Sequence, residues 1–315
     1  MHLVTYLAGR TPRLGAVWHD VVLDLHNLSA DMAAQRAPRP RGGALLPRTM
    51  LDLIEAGPDA WGRTQEVWEY GRKVVDRVDP ADLRRRRIGL SLAGTRLLAP
   101  IPRPRKNVFC MGRNYAEHAA ERGADPPERP VFFTKPPTCV VGPDAPIVRH
   151  AVTEALDYEV ELAAVIGRGG RDLTPETALA HVFGYTVLND VTARDLQKAH
   201  LQWFKGKSLD TFCPMGPVLV TADEVPDPQA LGIRLRVNGQ VRQEATTARM
   251  IFDVRTLLAV LSAGMTLEPG DILATGTPSG VAAATGAYLE AGDVVEAEID
   301  GLGCLRNRVV SPGEA

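Results

Sequence analysis

The sequence predicts an α+β chain rich in β-structure, with a small N-terminal α+β domain over residues 1–95, a linker at 96–106 and a larger β-rich domain over 107–315. Beyond Asn107, short alternating apolar and polar runs recur between Gly- and Pro-bearing turns, which is the period of half-buried strands. Before residue 95, strand-like and helix-like periods sit side by side. Between the two, Pro100, Pro102 and Pro104 stiffen a stretch with no periodicity.

Taken in order, residues 3–7, 13–18 and 21–25 read as three short strands. Residues 34–48, rich in Ala, Arg, Pro and Gly, are expected to form a mobile surface loop. Helical periods follow at 49–55 and 59–78. The run Leu83-Arg84-Arg85-Arg86-Arg87 has no interleaved aromatic residue, so it reads as solvated surface rather than a nucleic-acid patch. In the larger domain, helices are expected at 174–182, 192–200 and 250–261. Residues 233–237 alternate and end in Asn238-Gly239, a hairpin signal, and residues 293–299 alternate as well.

With 315 residues, 45% of them hydrophobic and 23% charged, the chain can bury a sizeable core. A net charge of −2 supplies no global field toward nucleic acid or an anionic membrane. No apolar run approaches the ~20 residues that span a bilayer, and the start Met1-His2-Leu3-Val4-Thr5-Tyr6 lacks the pattern of a signal peptide. Cys110, Cys139, Cys213 and Cys304 form no Cys-x-x-Cys pair, which fits a reducing compartment. The expectation is a cytoplasmic protein without membrane or nucleic-acid partners.

The chemistry concentrates in Asp157-Tyr158-Glu159-Val160-Glu161-Leu162. On a strand, Asp157, Glu159 and Glu161 share one face and the apolar residues the other. A solvent-facing edge strand would show the same alternation, but buried carboxylates in such a row need a counter-charge. Asp190 ends a second strand-like run, 184–191, and adds a third oxygen ligand to Glu159 and Glu161. All-oxygen ligands suit Mg²⁺, or Mn²⁺, with Ca²⁺ a further fit. Asp157 is the leftover acid, supporting the ligands or pointing past them. His118 and Glu121, three apart on a helical turn, form a pair in which the carboxylate orients the imidazole and raises its basicity. Lys135 precedes a rigid Pro pair, Lys205 and Lys207 flank Gly206, and Thr275-Gly276-Thr277 offers hydroxyls and amides to a substrate carboxylate. That turn lacks the Gly-Lys-Ser/Thr ending of a nucleotide loop.

Eight segments in register, at 112–121, 133–137, 157–162, 184–197, 207–214, 250–253, 266–280 and 301–309, resemble the fumarylacetoacetate hydrolase family. The resemblance implies a mixed β-roll fold, usually as a homodimer, with metal ligands at Glu159, Glu161 and Asp190 and catalytic residues His118, Glu121 and Lys207. Arg113, Tyr115, Lys135, Gln197, Thr275, Gly276 and Thr277 are expected to bind substrate. Leu209 stands where the family usually has Phe. Residues 1–95 resemble the small domain of longer members more loosely.

The implied substrates are small 2-oxo and 1,3-diketo acids, such as acylpyruvates met in aromatic-compound catabolism. The expected reaction is metal-dependent C–C hydrolysis, with His118 activating water and Lys207 and Lys135 steadying the oxyanion. Isomerisation or decarboxylation on the same scaffold is the alternative, and a non-catalytic protein stabilised by its ion is a third. The stretch 121–130, with Gly123, Pro126 and Pro127, is expected to act as a lid, and 198–204 to wall the pocket.

Overall fold

Val160, Leu162, Ala163, Ala164, Val165 and Ile166 carry no polar side chain, and the strand they help form, Val160–Ile166, is buried along its whole length. Such a strand needs cover on both faces and a partner on both edges. The computed structural model describes residues 1–35, 45–121, 123 and 125–314, and it supplies both. Val182–Asn189 pairs antiparallel along one edge and Ile272–Ala274 along the other. Beyond Val182–Asn189 the sheet continues through Cys213–Thr221, His2–Ala8, Thr11–Trp18, Val21–Asp24 and Gly89–Ser91. Beyond Ile272–Ala274 it continues through Val108–Gly112 and Val131–Lys135. Parallel pairing of Ile272–Ala274 with Val108–Gly112 makes the sheet mixed.

The cover on one face is a second sheet, ordered Gln240–Thr246, Gly232–Val237, Val294–Ile299, Gly303–Val310 and Ile147–Val148. Gly232–Val237 packs on Val160–Ile166, and Val294–Ile299 packs on Val182–Asn189. Its strands bury every second residue, as their alternation requires. The outward positions carry cross-strand ion pairs: Arg234 Nε donates to Glu244 at 2.9 Å and Arg236 Nη1 to Glu298 at 2.7 Å. In the N-terminal region, Leu25–Gln35 and Gly57–Val75 pack together beside the strands. Arg86 of the basic run pairs with Asp31 while Leu83 is buried. Among the described residues no helix is long and apolar enough to cross a membrane.

Several local expectations change. Residues 157–166 are not one strand: Leu156–Asp157 pairs with Thr192–Ala193 in a separate ladder, and Val160–Ile166 joins the large sheet. The change of partner falls at Tyr158 and Glu159, where the Glu159 N–H donates to the Asn189 side chain at 3.0 Å in place of a ladder bond. The helix expected at 192–200 divides into the strand Thr192–Ala193 and the helix Arg194–Ala199. The one expected at 250–261 starts at Val254, because the Asp253 carboxylate caps it by accepting the Thr256 N–H at 2.7 Å. Most of the loop expected at 34–48 lies outside the described residues, as do Arg122 and Ala124 of the 121–130 stretch.

Gly184 sits where Val182–Asn189 meets Cys213–Thr221, and a Cβ there would lie 2.3 Å from the Val220 carbonyl oxygen. Gly184→Ala should therefore lower stability by about 1–3 kcal/mol through overpacking. Thermal unfolding checks this, and an unchanged midpoint would mean that the two strands part more easily than their register implies.

Candidate active site

Three carboxylates converge where the sheet's central strands begin and end. Glu159 precedes Val160–Ile166, Glu161 lies within it, and Asp190 follows Val182–Asn189. Pairing Val160 with Asn189 sets them side by side, so one oxygen from each lies within 4.8 Å of the others, all three residues buried. Lys207, at the end of the Phe204–Lys207 helix, donates to Glu159 Oε2 and to Asp190 Oδ2, each at 2.7 Å. Lys135 donates to Asp190 Oδ1 and, at 3.0 Å, to the Val191 carbonyl.

Arg194 completes the cationic set. Its Nη2 donates to Glu159 Oε1 at 2.6 Å, its Nη1 to Gln197 Oε1 at 3.1 Å and its Nε to Asp157 Oδ2 at 2.7 Å. Asp157 also accepts the backbone N–H groups of Ala282 and Ala283 at 2.7 and 3.0 Å. The leftover acid of the motif is thus a buried anchor that aims Arg194. Sequence reading missed Arg194, although a charge balance signals it: Asp157, Glu159, Glu161 and Asp190 outnumber Lys135 and Lys207.

Electrostatics divide the carboxylates. Burial opposes the charge on Glu159, yet Lys207 and Arg194 outweigh it and hold the carboxyl well below the usual range. Glu161 goes the other way, pushed up by burial with Asp190 and Glu159 beside it. Its hydrogen bond comes from the Gly276 N–H at 2.8 Å, and among the described residues it has no ion-pair partner.

On the opposite side, His118 Nδ1 lies 2.8 Å from Glu121 Oε1 within the helix Ala116–Glu121. Glu121 Oε2 accepts the Gly280 N–H at 2.9 Å, which ties the pair to the loop bearing Thr275–Gly280. The loop's two threonine hydroxyls are spent on the sheet: Thr275 Oγ1 donates to the Leu162 carbonyl and Thr277 Oγ1 to that of Val160, both at 2.9 Å.

A cavity of about 490 Å³ joins these groups. His118, Glu159, Glu161, Arg194, Gln197, Lys207, Arg113 and Thr277 line it, together with Lys198, Trp203 and Tyr288. Tyr115, Lys135, Thr275 and Gly276, expected at the substrate, are buried behind its wall. Lys135 instead braces Asp190, and the Tyr115 hydroxyl has no hydrogen-bond partner among the described residues. Lys198 and Trp203 place the 198–204 stretch at the wall, as expected. The residues present fit a hard divalent cation. The donor set is all oxygen, its span matches a single ion, and Glu161 lacks the counter-charge that such an ion supplies.

Comparison with known proteins places this geometry. A family model described as the fumarylacetoacetate (FAA) hydrolase C-terminal domain matches residues 107–310. Oxaloacetate tautomerase YisK of Bacillus subtilis (strain 168) is 45% identical over 269 residues, 84% of this chain and 87% of that protein. The structure of a fumarylacetoacetate hydrolase from the psychrophile Exiguobacterium antarcticum superposes with a TM-score of 0.78 at 41% identity, covering 99% of both chains. That of maleylpyruvate hydrolase from Sphingobium sp. SYK-6, in complex with manganese(II) and pyruvate, gives 0.73 at 31% identity, again with 99% of both chains covered.

Two outcomes follow from the buried charges. Glu159→Ala or Glu161→Ala should abolish Mn²⁺ binding to chelator-treated protein in calorimetry; wild-type affinity in either would remove that residue from the ligand set. Asp157→Ala takes one of two carboxylates from buried Arg194 and strands the backbone amides of Tyr158, Ala282 and Ala283, and should cost about 3–5 kcal/mol of stability, measured by denaturant unfolding. A loss under 1 kcal/mol would mean that Glu159 alone balances Arg194 and that water satisfies the freed amides.

Proposed function

The chain belongs to the fumarylacetoacetate hydrolase family, and on that premise we propose that it is a divalent-cation-dependent tautomerase interconverting the keto and enol forms of a small 2-oxo dicarboxylic acid, oxaloacetate foremost. The observation that carries the reading is the 45% identity to an oxaloacetate tautomerase across 84% of this chain. The site supports it: a cavity of about 490 Å³ admits a small dianion, and it brings a base and a cationic donor to one space.

A divalent ion on Glu159, Glu161 and Asp190, when bound, supplies Lewis-acid polarisation of the 2-oxo group. His118 is buried and its Nδ1 is fixed by Glu121, which leaves Nε2 to take a proton from carbon 3. Lys207 spends two of its three N–H groups on Glu159 and Asp190, so one remains for the oxygen at carbon 2 as charge develops there. Arg194 spends three of its five, and the remainder face the substrate's inner carboxylate beside the Gln197 amide. The proton leaving carbon 3 ends on the oxygen at carbon 2, and no water is consumed.

C–C hydrolysis of an acylpyruvate is the second reading. It is favoured by the His118–Glu121 pair, which suits activation of water, and by the likeness to maleylpyruvate hydrolase. Ultraviolet absorbance separates the two. With Mg²⁺ or Mn²⁺ present, the protein should speed relaxation of the oxaloacetate enol band without forming pyruvate, and His118→Ala should slow it roughly 10²–10⁴-fold. Pyruvate release from acylpyruvates with no effect on the enol band would replace the tautomerase by the hydrolase. Pyruvate formed from oxaloacetate would indicate a decarboxylase.

A further inference from the structure

The cations of the cavity fall into two sets. Those at its floor already pair with carboxylates, Lys207 with Glu159 and Asp190 and Arg194 with Asp157 and Glu159, while Lys135 pairs with Asp190 behind the wall. Arg113 and Lys198, on the outer wall, have no carboxylate partner among the described residues. Asp195, the acid on the same wall, is already engaged, accepting from the Thr153 hydroxyl at 2.7 Å, the Glu154 N–H at 2.9 Å and its neighbour's N–H at 2.8 Å.

Arg113 is also held in place. Its backbone φ is +58°, a left-handed conformation that a residue with a side chain keeps only when its surroundings fix it. Its guanidinium lies 5.6 Å from the centre of the Trp203 ring. That ring packs so closely on Gly112 that a Cβ there would come within 2.2 Å of it, and it meets Phe133 edge-on at 5.4 Å. The arginine therefore sits beside a closely packed aromatic wall of the cavity that Glu159 and Glu161 also line.

We propose that Arg113 and Lys198 form a receptor for the distal carboxylate of the substrate, so that the site selects dianionic four-carbon acids over monoanions of equal length. This rests on the reading of the floor as the seat of a 2-oxo acid. The floor takes the carboxylate and 2-oxo group. The outer cations take the charge at the other end, with Trp203 setting the depth at which the chain must stop. Charge-assisted hydrogen bonds of this kind are about twice as strong as neutral ones, and a guanidinium offers two to one carboxylate.

Binding tests this without turnover. Malate and 2-hydroxybutyrate differ by a carboxylate in place of a methyl group, and neither can enolise. Calorimetry on Mg²⁺-loaded protein should show malate binding at least tenfold tighter. The double variant Arg113→Met, Lys198→Met should bring the two within about twofold, with malate losing far more affinity than 2-hydroxybutyrate. Absence of a malate preference in the wild type, including no detectable binding of either acid, overturns the proposal, as does a preference that survives in the double variant. A malate preference in a protein that fails to move the oxaloacetate enol band would refute the tautomerase and leave the receptor standing.

Discussion

Lys207 donates one hydrogen bond to Glu159 and another to Asp190, and the site depends on that bridge. Glu159 enters one central strand, Asp190 leaves the next, and Lys207 ends a helix contributed by a third segment. All three are removed from water, where an unpaired ion costs several kcal/mol. The ammonium therefore fixes the relative placement of three chain segments before any ligand arrives. Arg194 extends the same logic outward, carrying the charge balance to Asp157 and to the backbone of Ala282 and Ala283.

The fold serves this network by breaking a strand. Were 157–166 continuous, Asp157 would face the same space as Glu159 and Glu161, and four acids would compete for two lysines. The change of pairing partner at Tyr158 and Glu159 turns Asp157 toward Arg194 and leaves three carboxylates in one cluster. The second sheet, packed behind Val160–Ile166, keeps water from that side.

The acidic residues were legible because strand alternation and buried charge are local properties: Glu159, Glu161 and Asp190 follow from spacing and from the cost of an unpaired carboxylate. The His118–Glu121 contact was legible for the same reason, as a helical i, i+3 pair. What escaped depends on which donor reaches which acceptor in space. Thr275 and Thr277 have the right hydroxyls for a carboxylate, but the carbonyls of Leu162 and Val160 claim them. Lys135 has the right charge, but Asp190 and Val191 hold it behind the wall. Arg194 lacked a motif, and its role came from the surplus of acids around it. Helix ends shifted for a smaller reason, since capping by Asp253 and the short ladder at Thr192–Ala193 override apolar periodicity.

The pairing of His2–Ala8 with Cys213–Thr221 has a temporal side. During synthesis the first strand emerges roughly 200 residues before the segment that completes its edge, which at ~5–20 residues per second is a wait of about 10–40 s. Its hairpin with Thr11–Trp18 forms at once, being local, so the nascent chain carries an open strand edge through most of its elongation. Leu97–Leu98 reaches that strand earlier, pairing at Thr5 and Tyr6, and so shields part of it on the ribosome.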